Sequence, residues 1–214
     1  MKKKEAFTVP CGADKVLLHT CCAPCSSAII ECLMSHGVTP TIYYCNPNIY
    51  PYDEYAIRRD ECMRYARDLG IDMVESHYDH DEWRQCVHGL EHEPERGSRC
   101  LRCFQMRLKA TARYAHDNGF KVITTTLASS RWKSLEQINQ AGSEAAMPYD
   151  DVTWWDRNWR KGGLSERRAQ IIRDYGFYNQ RYCGCEFSMS AGHQPASAVD
   201  GTSHDVKSSL HLIL

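Results

Sequence analysis

Four short runs rich in β-branched and aromatic residues, Val16–Thr20, Thr39–Tyr44, Met73–Ser76 and Lys121–Thr125, alternate with segments whose apolar residues recur at helical spacing. This alternation limits the fold more than any other feature of the chain. The helical segments read as Ser26–Ser35, closed by Gly37; Asp53–Leu69, stopped by Gly70; a short His80–His88; Leu101–His116; Leu135–Glu144; and Glu166–Tyr175. Strands alternating with helices predict an α/β protein, a Rossmann-like parallel sheet flanked by helices, with a helical and loop-rich C-terminal part. A chain of 214 residues accommodates one such domain. We expect residues 1–188 to form it and 189–214, dominated by Gly, Ser, Ala and His, to be a disordered tail.

Open parallel sheets bind ligands beyond the carboxyl ends of their strands. The segments at those ends are CCAPC after the first strand, NPNIYP after the second and TLASSRWKS after the fourth. Cysteine therefore becomes the residue to explain. The basic start MKKKEAFTVPCGADK lacks an apolar stretch of signal-peptide length, and no run of about 18 apolar residues occurs, so a cytoplasmic protein without a membrane segment is expected. In a reducing compartment clustered cysteines ligate metal or carry redox chemistry more often than they form structural disulfides. Of the 12 cysteines, Cys32, Cys45, Cys62 and Cys86 stand singly in apolar or helical surroundings and read as small hydrophobes; Cys11 lies in a loop. The other seven form three clusters: Cys21, Cys22 and Cys25; Cys100 and Cys103; and Cys183 and Cys185.

Adjacent residues point in different directions, so Cys21 and Cys22 suit two corners of a polynuclear cluster better than one zinc ion. Cys100 and Cys103 complete a set of four thiolates, and their place at a helix start favours the ionised form. A zinc clamp holding loops together stays open at this point. Cys183-Gly184-Cys185 spans too little backbone for a relaxed disulfide, which suits redox cycling, with Gly184 permitting unusual backbone angles. Metal ligation or two plain thiols are the alternatives there. The formal net charge of −1 announces no nucleic-acid binder overall. Locally, Arg131, Lys133, Arg157, Arg160, Lys161, Arg167 and Arg168 interleave with Trp132, Trp154, Trp155 and Trp159. That reads either as an RNA-binding patch or as a solvated face with its aromatics in the core.

Taken together, HTCCAPCSS, YYCNPNIYPYDEYAIRRDE, CLRCFQMRLKATA, TTTLASSRWKS, RKGG and YNQRYCGCEFS resemble the QueH type of epoxyqueuosine reductase over most of residues 15–188. The resemblance implies two-electron reductive deoxygenation of epoxyqueuosine to queuosine at the wobble position of tRNA with a GUN anticodon. It implies that this proceeds without cobalamin and with an electron donor not identified by the sequence. It further implies Cys21, Cys22, Cys100 and Cys103 as ligands of a [4Fe-4S] cluster, Cys183 and Cys185 as a redox-active pair, and an additional iron for which Cys25 is the candidate ligand. Lys133, Arg131, Trp132, Arg160 and Lys161 are candidate substrate contacts, and Lys133, Tyr178 and Tyr182 candidate proton donors. Two rivals are weighed beside it. An ATP-using tRNA-modifying enzyme would need a Gly-rich phosphate loop where this chain has CCAPCSS, and a zinc-dependent RNA-binding module would be told apart by its metal.

Overall fold

The structure is a computed structural model describing residues 7–189. The expected tail therefore lies, beyond Met189, outside the described residues. Five strands, β1 (Lys15–His19), β2 (Thr39–Tyr44), β3 (Met73–Glu75), β4 (Val122–Thr125) and β5 (Thr153–Trp154), form one parallel sheet in the order β3-β2-β1-β4-β5. Among the described residues six α-helices accompany it: α1 (Ala23–Ser35), α2 (Tyr52–Leu69), α3 (His80–Cys86), α4 (Ser98–Asp117), α5 (Leu135–Ala146) and α6 (Leu164–Tyr175). Helix α1 packs with α2 and α6, and α4 with α3 and α5, giving the two helical groups that a parallel sheet needs to cover its faces. The central strand β1 is apolar and fully buried at Val16, Leu17 and Leu18.

The α/β expectation holds, with three local differences. Strand β5 was not expected: it is two residues long and falls inside the aromatic and basic stretch, where periodicity has nothing to register. Its backbone bonds identify it, Thr153 N–H donating to the Lys121 carbonyl at 2.8 Å and Trp155 N–H to that of Ile123 at 2.9 Å. It also explains Gly142 in the middle of α5, since a Cβ there would collide with the Trp154 ring. Helices α1 and α4 each begin three residues earlier than their apolar periodicity suggests, because Pro24 is pre-set for a first helical turn and Gly97 serves as the N-cap of α4. Cys25 is thus a helix residue and not a loop residue.

The chain runs outward from β1 through β2 to β3, then returns to place β4 on the other side of β1. The loops after β1 and β4 consequently part around a topological switch point, which is where such sheets hold ligands.

Candidate metal and redox site

At the switch point the loop after β1 is tied to the one after β4. Cys21 N–H donates to Thr126 Oγ1 at 3.1 Å, and that hydroxyl lies 3.4 Å from Cys21 Sγ. Cys22, the N-cap of α1, is extended (φ −174°, ψ 160°), and Cys25 follows on the first turn of the helix. This geometry corrects the expectation that Cys21 and Cys22 diverge. At the strand-to-helix turn they leave regular strand alternation, and their sulfurs sit 3.8 Å apart. The Cys21, Cys22 and Cys25 sulfurs all lie within 4.8 Å of one another. Gln180 donates to Cys22 Sγ at 3.0 Å and reaches Cys25 Sγ at 3.7 Å.

The three thiols are electrostatically unequal. Hydrogen bonds from Cys22 and Cys25, with Thr126 and the Arg107 charge adding to them, hold Cys21 well below the usual thiol range. Burial pushes Cys22 up, and the hydrogen bond to Cys21 pushes Cys25 up to about 12. Ionisation is therefore favoured at Cys21 and disfavoured at Cys22 and Cys25. Beneath them His19 is fully buried, and burial together with Arg107 pushes it down to about 3. Neutral at ordinary pH, it has Nε2 3.2 Å from the Cys45 carbonyl, to which it donates, and Nδ1 2.6 Å from the Thr125 hydroxyl, which donates to it. Arg107 also donates to the Cys45 carbonyl, at 3.0 Å, and to Asn46 Oδ1, while its Nη1 reaches Cys103 Sγ at 3.9 Å.

Cys100 and Cys103 approach from α4. They fall outside the tight three-sulfur group but face the same cavity of about 480 Å³, which Cys21, Cys25, Cys183 and Cys185 also line. The Arg96 N–H donates to Cys100 Sγ at 3.3 Å. Burial nevertheless pushes the Cys100 thiol up, against the ionisation expected at a helix start.

The third cluster arrives on the segment after α6. Tyr50 N–H donates to the Gly184 carbonyl at 2.9 Å, the Tyr182 hydroxyl donates to the Tyr50 carbonyl, and buried Arg58 donates to the Tyr182 carbonyl at 3.1 Å. On the far side Glu186 meets His80 at 3.2 Å and Arg84 at 3.3 Å. Cys185 is buried with Cys103, Trp83 and Val87. Both Cys183 and Cys185 are free thiols. The hydrogen bond from Cys185, with Lys133 and Ser188 adding to it, holds Cys183 well below the thiol range, while Cys185 is pushed up. Gly184 has φ +102°, and a Cβ there would stand 2.7 Å from Ile49 Cγ1. Gly184→Ala is expected to cost about 1–3 kcal/mol of local strain and to undock the pair, lowering turnover well before global unfolding. Full turnover in a variant with an unchanged melting curve would contradict that docking role.

Cationic side chains, among them Arg58, Arg96, Arg99, Arg107, Lys133 and Arg168, crowd the cavity wall, and among the described residues Glu95 is the one carboxylate lining it. The chain is nearly neutral overall, so this is a local concentration. It suits thiolates and a polyanion at the mouth. The residues singled out for substrate separate here. Lys133 lines the cavity; Trp132, 64 % exposed, lines it also, with the Arg131 guanidinium 4.8 Å from its ring centre. Arg160 lies outside the wall and donates to the Lys133 carbonyl at 2.8 Å, and exposed Lys161 is likewise not part of the wall. Trp155 and Trp159 are buried, Trp154 packs on α5, Arg157 stacks over Phe7, and Arg167 pairs with Glu31, so much of the aromatic-basic stretch is core and its cover. Of the candidate proton donors, Tyr178 is bonded to Glu54 at 2.8 Å and Tyr182 to Tyr50, whereas Lys133 lines the cavity with its charge felt by Cys183. Burial opposes the Lys133 charge, but Cys183 and Cys21 outweigh it and raise its affinity for the proton. Arg107, Thr126, Gln180 and Arg96 were not anticipated. Each acts across a long sequence separation.

A family model described as epoxyqueuosine reductase QueH matches residues 16–191. The chain is 50 % identical over 186 residues to a protein of Histophilus somni named epoxyqueuosine reductase QueH, covering 87 % of this chain and 76 % of that one. A protein of the same name from Haemophilus influenzae is 48 % identical with the same coverage, and one from Thermotoga maritima is 32 % identical over 177 residues, 81 % of this chain and 90 % of the other.

Proposed function

This chain belongs to the QueH family of epoxyqueuosine reductases, and from that premise we propose how its residues carry out the reaction. It is an oxidoreductase that converts epoxyqueuosine to queuosine, a step that breaks both C–O bonds of the epoxide, forms C=C and releases the oxygen as water, consuming two electrons and two protons. The observation that carries the proposal is the convergence of all three cysteine clusters on one cationic cavity. No helix among the described residues is long and apolar enough to cross a membrane.

The donor set supports a thiolate-bound metal group: soft sulfur ligands, buried, with Arg107 supplying positive charge beside them. In this reading Cys21, Cys22, Cys100 and Cys103 hold a [4Fe-4S] cluster and Cys25 an additional iron, which together would supply single electrons and Lewis acidity. Everything else is done by the protein's own groups. Cys183 as thiolate and Cys185 as thiol, oxidised together to a disulfide, release two electrons and one proton; the second proton the epoxide consumes comes from Lys133. An external reductant then restores the dithiol. Lys133 stands charged at the cavity wall, placed to give a proton to the departing oxygen and to be refilled from solvent. Arg131 and Trp132 take the RNA at the mouth, the ring stacking on a base beside the extruded wobble nucleotide. Residues 1–188 act as one catalytic domain.

The 3.8 Å spacing of the Cys21 and Cys22 sulfurs also favours a second reading of the metal, because two thiolates on one tetrahedral ion at about 2.3 Å stand about 3.8 Å apart. Iron and sulfide in anaerobically purified protein support the cluster; stoichiometric zinc supports the single ion. For the reaction, metal-loaded protein and dithionite incubated with epoxyqueuosine-containing tRNA are expected to yield a nucleoside lighter by one oxygen. An unchanged nucleoside would refute the proposal. Trp132→Ala is expected to raise KM for tRNA roughly tenfold, the order of one lost base stack, with kcat held; an unchanged KM would remove Trp132 from the RNA contact.

A further inference from the structure

We propose that Arg96 and Arg160 are positioning residues that together hold the backbone of residues 131–133 and so aim Lys133 into the cysteine cavity. This rests on the role given above to Lys133. Three consecutive carbonyls of the loop after β4 accept from guanidinium groups: Arg131 from Arg96 Nη2 at 3.0 Å, Trp132 from Arg96 Nε at 2.9 Å, and Lys133 from Arg160 Nη2 at 2.8 Å. The two arginines come from distant parts of the chain, Arg96 from the loop leading into α4 and Arg160 from the turn after β5. The loop's own bonds, Lys133 N–H to the Ser130 carbonyl and Trp132 N–H to Ser130 Oγ, are each 3.3 Å long and close only one local turn.

The arrangement is costly, which is why a function is sought for it. Arg96 is one of two described non-glycine residues with positive φ, at +68°. Burial lowers the proton affinity of Arg160, and the nearby Arg96 charge lowers it further. Strain and like-charge proximity persist only where the surroundings impose them. Here they are imposed by anchors on the other side of Arg96. Its N–H lies on Cys100 Sγ, and its carbonyl accepts from Gln137 Nε2 at 2.9 Å. Arg96 is thereby a rigid link between a thiol of the cavity and the loop bearing Lys133, and Arg160 fixes the far end at the Lys133 carbonyl itself. A lysine side chain is long and flexible, so fixing its backbone is what confines its ammonium to one region of the wall.

A double-mutant cycle in the full-length, metal-loaded protein tests this. Arg96→Gly tolerates the positive φ and retains the N–H on Cys100 while deleting the guanidinium; Arg160→Ala deletes the other clamp. Each is expected to lower kcat about tenfold in the parent chain and to cost nothing further in a Lys133→Ala background. Losses that multiply in that background would overturn the proposal. Arg160→Lys, which keeps one donor, should recover part of the rate; a loss equal to that of Arg160→Ala counts against it. Labelling by reductive methylation, read peptide by peptide, gives an answer independent of turnover. Lys133 should react faster in both clamp variants, while Lys109 and Lys121 react as before, and unchanged labelling of Lys133 would overturn the positioning role. Should Lys133→Ala alone retain full turnover, the role of Lys133 in the reaction fails, and the labelling still decides separately whether the arginines position it.

Discussion

Cys183→Ser is expected to lower turnover by at least about 10³-fold, the scale of losing a group that reacts directly, while iron content and visible absorption stay at parent levels. Cys183 lies outside the group of three closely spaced sulfurs, so its replacement leaves those donors in place. What it removes is one half of a polarised dithiol. Cys183 is held low by the hydrogen bond from Cys185 and by Lys133, with the Ser188 hydroxyl 3.0 Å away. A thiolate beside a protonated thiol is ready to form the S–S bond as two electrons leave. Serine keeps the hydrogen bond to Ser188 but cannot be oxidised, so the two-electron balance fails. Cys185→Ser should fail equally, since neither sulfur works alone. Because the folded chain depresses the Cys183 pKa, its thiolate persists to lower pH than an ordinary cysteine and is lost as pH falls through that depressed value. The acid limb of the rate profile should therefore lie below the usual thiol range and vanish in the residual activity of Cys183→Ser. If both serine variants turned over at the parent rate with chemical reductant and with a cellular donor, the dithiol would have no part in the reaction.

The second large effect is expected at Cys22. Cys22→Ala should strip the protein of most of its bound metal and, with it, of turnover. Cys22 is fully buried between Cys21 and Gln180, and removing its sulfur leaves the Gln180 amide without its 3.0 Å partner as well. Metal binding to such a set is part of the folding free energy, so the variant should also melt lower than loaded parent protein, by no more than metal-free parent does. Cys62→Ala provides the contrast. Cys62 is equally buried, but in the apolar core among α2 neighbours, and its loss should cost about 1 kcal/mol of packing with metal content intact. Full metal content in Cys22→Ala would remove this residue from the ligand set.

These contrasts between cysteines show where the sequence was informative. Isolated against clustered spacing separated Cys62 and Cys45 from the seven clustered ones, six of which line the cavity, because a core thiol needs only apolar neighbours whereas chelation or a redox pair needs a second sulfur nearby. Tryptophan offered no such handle. Trp132 and Trp159 sit in equally basic contexts, yet one is 64 % exposed and the other donates from the core to Thr124 Oγ1. Burial depends on what packs above a residue, and β5, which fixes the fate of Trp154 and Trp155, is too short to leave a periodic trace. Arginine was harder still, since Arg96, Arg107 and Arg160 act on carbonyls contributed by distant parts of the chain.

By itself the sequence determined the elements and the stock of chemistry: strand and helix periodicities, the helix stops at Gly37 and Gly70, three clusters of thiols, and motifs dense enough to name a family. Those properties are local, set by backbone preference and side-chain type within a turn or two of chain. The tertiary structure decided which groups face each other. Only the order β3-β2-β1-β4-β5 puts the loop after β1 against the loop after β4. The docking of Gly184 on Tyr50 brings Cys183 into the same cavity, and two arginines from distant loops hold the carbonyls of residues 131–133 beside it. Electrostatic and hydrogen-bond energies depend on distance through space, which no spacing along the chain encodes.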